Sequence, residues 1–409
     1  MIHNPSARYR REFARSVEAV RVGVAEEVDS NFPAVLRPVL LIKATTLKLK
    51  YLIRLRTFRL LFWKLQPSQH LWYGVQIADD PANPATLWSL VESEEELAAI
   101  DQLVSAKAVS IFLFNEEDIN VASAIVTMRT GESVSKSLIT RVKIAAEGAW
   151  KQYQDAVDEL LMPTSDTRLI GAQPSELCEW VENRSILITR NIGRCHLALI
   201  TREEGEQQES MAEWLIDILN EPSAVRNPVV HEQRRARELS DLLLTYEYGC
   251  FLLESKTLAV FDRVDISDRN TLRRNVLKHV NKATNQLAGA CANIRRGLPI
   301  SDKAGRDIAV NRDWPVHCIM LVPDLSLIAD RDGLIPESTL LLLEKSKAFL
   351  NLVDLSELHN LVYNACSIAS KSRKLTRLMA FDSILMKRSE LASQHKTPYF
   401  RFRMTVTDR

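Results

Sequence analysis

The alternation of apolar and polar positions predicts a chain that mixes helices and strands throughout. Ser93 followed by Glu96 has the spacing of a capping box and predicts a helix from this point. Val109–Phe114 is an apolar run of strand length. The pattern also predicts a helix over 136–161, strands over 185–190 and 196–202, and covering helices over 355–391. We therefore expect an α/β protein.

A polar, acidic run separates two apolar-rich regions. Residues 202–210 read REEGEQQES and are typical of a loop between domains. A chain of 409 residues is long enough for two or three domains. We predict a mixed α/β domain over 1–203, with a sensing, recruiting or regulatory role, and a second domain over 208–409.

Two short apolar runs in the second domain predict a β-hairpin. They are Leu242–Leu244 and Cys250–Leu253, joined by a four-residue connection over 246–249. If Thr245 pairs with Cys250, Asp241 lies opposite Glu254. Because side chains alternate along a strand, both carboxylates and Lys256 then project from the same face. The register brings three charged groups together at the open end of one hairpin.

This arrangement predicts a site for a divalent cation. Two carboxylates held close together repel each other unless a cation lies between them. Mg²⁺ or Mn²⁺ takes oxygen ligands, polarises phosphate oxygens and lowers the pKa of bound water. Lys256 would orient the attacking water and offset negative charge in the transition state. The chemistry is that of phosphodiester hydrolysis.

An Asp, a short hairpin and then Glu-x-Lys resemble the signature of the PD-(D/E)xK nuclease superfamily. The resemblance covers about 210–322 and implies a restriction-endonuclease-like α-β-β-β-α-β core with extra helices. Ser240 stands where many members have proline. The expected elements are a helix over 211–220, a strand over 229–234, the hairpin, a helix over 271–296 and a strand over 316–322.

The resemblance also assigns roles to individual residues. Asp241, Glu254, Lys256 and Gln286 are expected to be catalytic, with Asp241 and Glu254 as metal ligands. The first helix supplies a further acidic ligand, Glu213 or Glu209.

Basic residues next to this motif predict a path for nucleic acid. Residues 269–301 contain no Asp or Glu. The positions expected to bind the backbone phosphates are Arg273, Arg274, Lys278 and Lys282. A basic helix face that is merely solvated is the alternative.

A second basic region lies in the first domain, where residues 30–78 also lack Asp and Glu. Aromatic residues interleave with its lysines and arginines: Tyr51, Phe58, Phe62, Trp63, Trp72 and Tyr73. Such a mixture predicts base stacking or contact with an acidic partner. The alternative is an amphipathic element with a solvated basic face.

Composition excludes several other classes of protein. With 53 Lys and Arg against 52 Asp and Glu, the net charge of +1 excludes a globally basic nucleic-acid wrapper. The six cysteines are scattered without a C-x-x-C pair, so neither a disulfide framework nor a zinc site is expected. The start of the chain lacks an apolar leader, and no apolar run is long enough to cross a membrane. We expect a cytoplasmic protein with no membrane contact.

The sequence favours a metal-dependent nuclease that acts on DNA rather than RNA, as an endonuclease rather than an exonuclease. By analogy with the superfamily, it would be a restriction-like or anti-phage defence effector. The alternative is a non-catalytic nucleic-acid-binding or scaffold protein with the same fold. A protein partner for the first domain and a homodimer are further expectations.

Overall fold

The chain divides into two units, and both are mixed α/β. A computed structural model describes residues 18–27, 35–56, 58–64, 69–80, 84–106, 108–129, 141–146, 170–177, 180–189, 193–200, 203–219, 224–233, 235–258, 269–328, 348–372 and 374–395. The first unit comprises Met1–Arg184 with Ala198–Ile200, and the second comprises Ser185–Leu197 with Thr201–Arg409. The roles predicted for the two domains stay predictions.

A mixed sheet forms the first unit. Its strands are β1 (Ala19–Glu27), β2 (Val35–Lys43), β3 (Arg59–Lys64), β4 (Leu71–Ile77), β5 (Ala85–Leu90), β6 (Ala108–Phe114), β7 (Asn120–Arg129), β8 (Ile170–Leu177) and β9 (Val181–Glu182). Their order is β1-β2-β6-β7-β8-β3-β4-β5, with β9 beside β7. Tyr73 Oη and Ser89 Oγ donate to the carbonyl of Val20, which links β4 and β5 to β1.

The described residues of this unit also form helix α1 (Thr46–Leu55) and helix α2 (Glu94–Ser105). The hydroxyl of Ser93 accepts from the N–H of Glu96 at 3.1 Å, so the predicted N-cap of this helix is confirmed. The reciprocal half of the capping box is replaced, because Glu96 Oε2 accepts from the N–H of Glu92 at 3.0 Å. The predicted strand over 109–114 is also confirmed, as β6. Most of the helix predicted over 136–161 lies outside the described residues, and residues 141–146 within it are not helical.

The aromatic residues of the basic region are part of the core, so the prediction that they stack on bases is wrong. Tyr51, Phe58, Phe62, Trp63, Trp72 and Tyr73 are all at most 8 % exposed. Lys43 is also buried and pairs with Asp118 at 2.5 Å. The aromatic rings fill the interior because α1, β3 and β4 turn them inward.

The described strands of the second unit are β10 (Ser185–Thr189), β11 (Gly193–Leu197), β12 (Val225–Arg226), β13 (Val229–Glu232), β14 (Arg235–Glu238), β15 (Leu242–Tyr246), β16 (Gly249–Ser255), β17 (Ile300–Ser301), β18 (Val316–Leu321) and β19 (Phe349–Val353). Five of them form the main sheet, in the order β12-β15-β16-β18-β19. Strands β12, β15 and β16 are antiparallel, whereas β16, β18 and β19 are parallel.

The helices in the described part of this unit are α3 (Glu204–Asp217), α4 (Arg269–Arg295), α5 (Leu355–Lys371) and α6 (Arg377–Gln394). The helix predicted over 271–296 and the strand predicted over 316–322 are confirmed as α4 and β18. The pattern over 355–391 is two helices, α5 and α6. Among the residues that the structure describes, no helix has the length and apolar character needed to span a bilayer.

One sequence prediction for the second unit is wrong, and two predicted strands are present with other bounds or in another sheet. The expected loop over 202–210 is mostly helical, because Glu204, Gln207 and Gln208 are buried in the first turns of α3. The strand expected over 196–202 is β11, which begins at Gly193. The strand expected over 229–234 is β13, which pairs with β14 and β17 in a separate sheet. The two-residue strand β12 borders β15 instead.

The turn of the β15–β16 hairpin is shorter than the predicted four residues. Tyr246 pairs with Gly249, so only Glu247 and Tyr248 lie between the strands. Gly249 has φ of 132°, and a Cβ there would meet the carbonyl of Pro315 at 3.3 Å. Glycine is therefore required at this position both for the backbone conformation and for the close approach of the next loop.

Candidate active site at the open end of the hairpin

Asp241 and Glu254 come together where the hairpin opens. Thr245 pairs with Cys250, as predicted, and the same register continued to the end of the ladder places Asp241 opposite Glu254. The main-chain N–H of Ser255 donates to Asp241 Oδ2 at 2.5 Å. This bond holds the Asp241 carboxylate against the end of β16.

Lys256 contacts the second carboxylate of the pair. Its Nζ lies 2.6 Å from Glu254 Oε1, and the two side chains are 17 % and 5 % exposed. Residues two apart on a strand share a face, and this contact confirms the predicted placement of Glu254 and Lys256. Their catalytic roles stay predictions.

Burial and mutual repulsion disfavour the charged forms of both carboxylates. Burial raises the pKa of Glu254 to about 7, and the neighbouring Asp241 adds to this effect, although Lys256 opposes it. Burial also raises the pKa of Asp241, while the N–H of Ser255 and the charge of Lys256 oppose the shift. Without a further cation, the site therefore holds a destabilised pair of negative charges.

The strand register determines the face of the sheet from which each residue of the motif projects. In the parallel ladder Leu252 is beside Cys318, and Cys318 Sγ lies 3.4 Å from Cys291 Sγ on α4. Glu254 and Lys256 share the face of Leu252, so they project on the α4 side. Ser255 projects on the opposite side.

Gln208 of α3 holds the backbone that carries this motif. Its Nε2 donates to Ser255 Oγ at 2.9 Å and lies 3.4 Å from the carbonyl of Lys256. The N–H of Lys256 donates to the carbonyl of Leu321 at 2.8 Å, which continues the pairing with β18. Gln208 was missed by the sequence analysis because it lies in the polar run that predicted a loop.

The acidic residues of α3 contact an arginine rather than the carboxylate pair. Arg226 of β12 donates from Nη2 to Glu209 Oε2 at 3.0 Å and from Nη1 to Ser210 Oγ at 3.2 Å. Its Nη1 also lies 3.8 Å from Glu213 Oε2, and Glu213 is fully buried. The structure thus pairs Glu213 with Arg226, and the charge of Arg226 also opposes the rise in the pKa of Asp241. Glu209 is closer to the pair, since burial and Asp241 both raise its pKa.

Glu238 and Lys303 also border the site, and neither was predicted from the sequence. Desolvation and Asp241 raise the pKa of Glu238, and the charges of Lys303 and Lys256 oppose this shift. Glu238 ends β14 and lies three residues before Asp241. This closeness in the sequence was the signal that could have identified it as a neighbour of the site. The surroundings of the pair therefore carry both signs of charge.

Gln286 does not join the carboxylate pair. It is exposed on α4 and makes no hydrogen bond to Asp241, Glu254 or Lys256. Helix α4 does align three of the predicted phosphate-binding residues, Arg274, Lys278 and Lys282, at exposed positions four residues apart. We call these three residues the α4 stripe. Arg273 is half-buried beside it.

The carboxylate pair fits a metal ion that keeps most of its water, but not a cluster of three acidic ligands. Within the described ranges, no group of three or more His, Cys, Asp or Glu side chains is arranged to hold a metal. Asp241 Oδ1 and Glu254 Oε2 accept no hydrogen bond from a described residue, and two such oxygens suit Mg²⁺ or Mn²⁺. Glu213 is not part of this set.

Comparisons with protein-family models, curated proteins and solved structures gave no match to this chain.

Proposed function

We propose that the second unit is a metal-dependent nuclease, with DNA favoured over RNA. The observation that carries the proposal is the Asp241–Glu254 pair, with Lys256 bound to one of its members at 2.6 Å. Buried acidic groups with raised pKa values, close to a lysine, are typical of catalytic sites.

The order of elements supports the same proposal at the level of the fold. Helix α3 precedes the antiparallel strands β12, β15 and β16, and α4 then leads to the parallel strand β18. This order is similar to the α-β-β-β-α-β core of the PD-(D/E)xK superfamily, with β12 in place of the strand expected over 229–234. Helices α5 and α6 are additions to that core.

Each residue of the site has a distinct task in hydrolysis. Asp241 and Glu254 would hold the metal ion, which polarises a phosphate oxygen and acidifies a bound water. Lys256 donates one N–H to Glu254, and its two other N–H groups are available to orient the attacking water and a phosphate oxygen. Gln208 and the N–H of Ser255 fix these groups in position.

The α4 stripe supplies a route for the substrate. Its three cations are exposed on the helix that packs on the same side of the sheet as Glu254. Such a row attracts backbone phosphates without reading their sequence. We propose that the stripe positions the strand and that the carboxylate pair cuts it.

The test is cleavage of plasmid DNA, single-stranded DNA and RNA in Mg²⁺, Mn²⁺ or EDTA. Wild type should cut at least one substrate in metal only, and Lys256→Ala should lose cleavage while keeping most of its binding. The matched control is Lys387→Ala, which removes a lysine that is 54 % exposed and pairs with Glu390 on the same helix. Metal-independent binding without cleavage in wild type would instead favour the non-catalytic scaffold.

A further inference from the structure

A cavity of about 320 Å³ lies at the turn end of the hairpin, opposite the carboxylate pair. Strand β15 separates the two, and five residues of strand span about 17 Å. The residues that shape the cavity are Tyr246, Tyr248, Trp314, His317, Met379 and Asp382. The proposed nuclease mechanism uses none of them.

The aromatic rings of this cavity meet at steep angles. Tyr248 and Trp314 have centroids 5.8 Å apart and ring planes at 87°, while Tyr246 and Tyr248 are 6.0 Å apart at 68°. Tyr248 is 36 % exposed and Trp314 is 52 % exposed. Large aromatic surfaces left open to solvent beside a cavity mark a binding site rather than a core. In such edge-to-face pairs the positive edge of one ring lies on the negative face of the other, so the exposed parts of Tyr248 and Trp314 offer the open aromatic surface.

The charge in the cavity selects the class of ligand. Asp382 lies on α6 with its side chain 21 % exposed, and His317 Nε2 contacts its Oδ1 at 2.6 Å. The described residues that line the cavity include no Lys or Arg. A phosphate or carboxylate ligand would therefore meet a carboxylate and the negative faces of the rings. A cation would be attracted by both.

We infer that this cavity binds a monovalent organic cation with an alkylated ammonium head group. Trp is the strongest cation–π partner, and aromatic cages with a nearby acidic group recognise such head groups. The cavity is at the small end of the range for ligand sites, which suits a compact head group better than an extended ligand. The site is independent of the nuclease activity.

Calorimetry with choline and with its neutral carbon isostere 3,3-dimethyl-1-butanol tests the inference. Choline should bind wild type at least about tenfold more tightly than the isostere, because the two differ in charge but not in shape. Trp314→Leu keeps an apolar wall but removes the π face, and should weaken choline binding about tenfold. Trp314→Phe should retain most of the affinity.

The matched control is Tyr363→Leu, which changes an aromatic residue that is 68 % exposed on α5, outside the cavity. Equal binding of choline and the isostere, or unchanged choline binding in Trp314→Leu, would overturn the inference. So would an absence of choline binding to wild type at concentrations up to roughly 50 mM. If a trimethyllysine peptide binds as tightly as choline, the natural ligand is a modified protein side chain. If the peptide binds more weakly, the natural ligand is a free small molecule.

Discussion

Replacing Glu254 by glutamine should stabilise the second unit at alkaline pH. The amide keeps the shape of the side chain and an oxygen that can accept from Lys256 Nζ, which lies 2.6 Å from Glu254 Oε1. It removes the negative charge that is buried beside Asp241. The variant therefore isolates the cost of that charge.

The magnitude follows from the pKa of Glu254, which the fold raises from 4.5 to about 7. The native state then holds the proton of Glu254 more tightly than the unfolded chain does, so the contribution of this group to stability is greatest at low pH and is lost as the pH rises through 7. This shift in pKa corresponds to a loss of roughly 3 kcal/mol in the free energy of unfolding between low and high pH. Glutamine mimics the protonated form, so the variant should gain about that much at pH 8.5 and less than about 1 kcal/mol at pH 5.

Hydrogen exchange measured by mass spectrometry in EDTA checks this prediction. Peptides that cover β15 and β16 report the opening free energy of this unit alone. Comparing variant and wild type at the same pH cancels the intrinsic exchange rate. Glu247→Gln, an exposed change in the turn of the same hairpin, should shift the opening free energy by less than about 0.5 kcal/mol.

Equal opening free energies for wild type and Glu254→Gln at both pH values would refute the reasoning. That result would mean that the carboxylate pair is well solvated or already compensated. A gain that is the same at pH 5 and pH 8.5 would also count against it, because only a pH-dependent gain reports the titration of Glu254.

Three further predictions concern metal, positioning and substrate. In differential scanning fluorimetry, Mg²⁺ should raise the melting temperature of wild type more at pH 8 than at pH 6, because Glu254 must lose its proton to bind the ion. Asp241→Asn should abolish this rise, and an equal rise in the variant would contradict the metal site. Gln208→Leu should lower the free energy of unfolding in urea by about 1–3 kcal/mol and should change kcat more than KM. An unchanged kcat would contradict a positioning role for Gln208. Alanine at all three positions of the α4 stripe should reduce the slope of log K against log salt by about 2–3 in fluorescence anisotropy, and an unchanged slope would remove the stripe from the path.

Local pairing explains why the hairpin could be predicted from the sequence. Its register depends on short apolar runs and a turn, and these are close together in the chain. The same reasoning failed for α3, because the helix depends on contacts with distant residues. Gln208 is buried where β16, about fifty residues later, offers it Ser255 Oγ as an acceptor. A polar run without its partners predicts a loop.

The first unit shows the limit of composition as a guide to surfaces. Aromatic residues between lysines and arginines predicted stacking on bases, but Trp72 and Tyr73 are among the most completely buried side chains. Interleaving in sequence does not determine the face to which each side chain turns. That depends on which strands lie beside β4, and pairing over such distances leaves no local signal.

The candidate site shows why several acidic residues at one edge of a sheet need a structure to be told apart. Asp324 and Asp354 follow β18 and β19, near the same ends of the parallel strands as Glu254, the penultimate residue of β16. Asp354 accepts main-chain N–H groups on both carboxylate oxygens, from Leu325 and from Glu357, and Asp324 caps the short 3-10 turn that follows it. These two carboxylates are therefore satisfied by main-chain N–H groups of the fold itself.

Asp241 and Glu254 differ from these capping residues in what their oxygens contact. Each uses one oxygen within the described part of the chain and leaves the other without a hydrogen-bond donor. The cost of that arrangement appears in the raised pKa of both groups. A fold that needed acidic residues only for capping would have no reason to bury this pair against each other, so the cost itself argues for a bound cation.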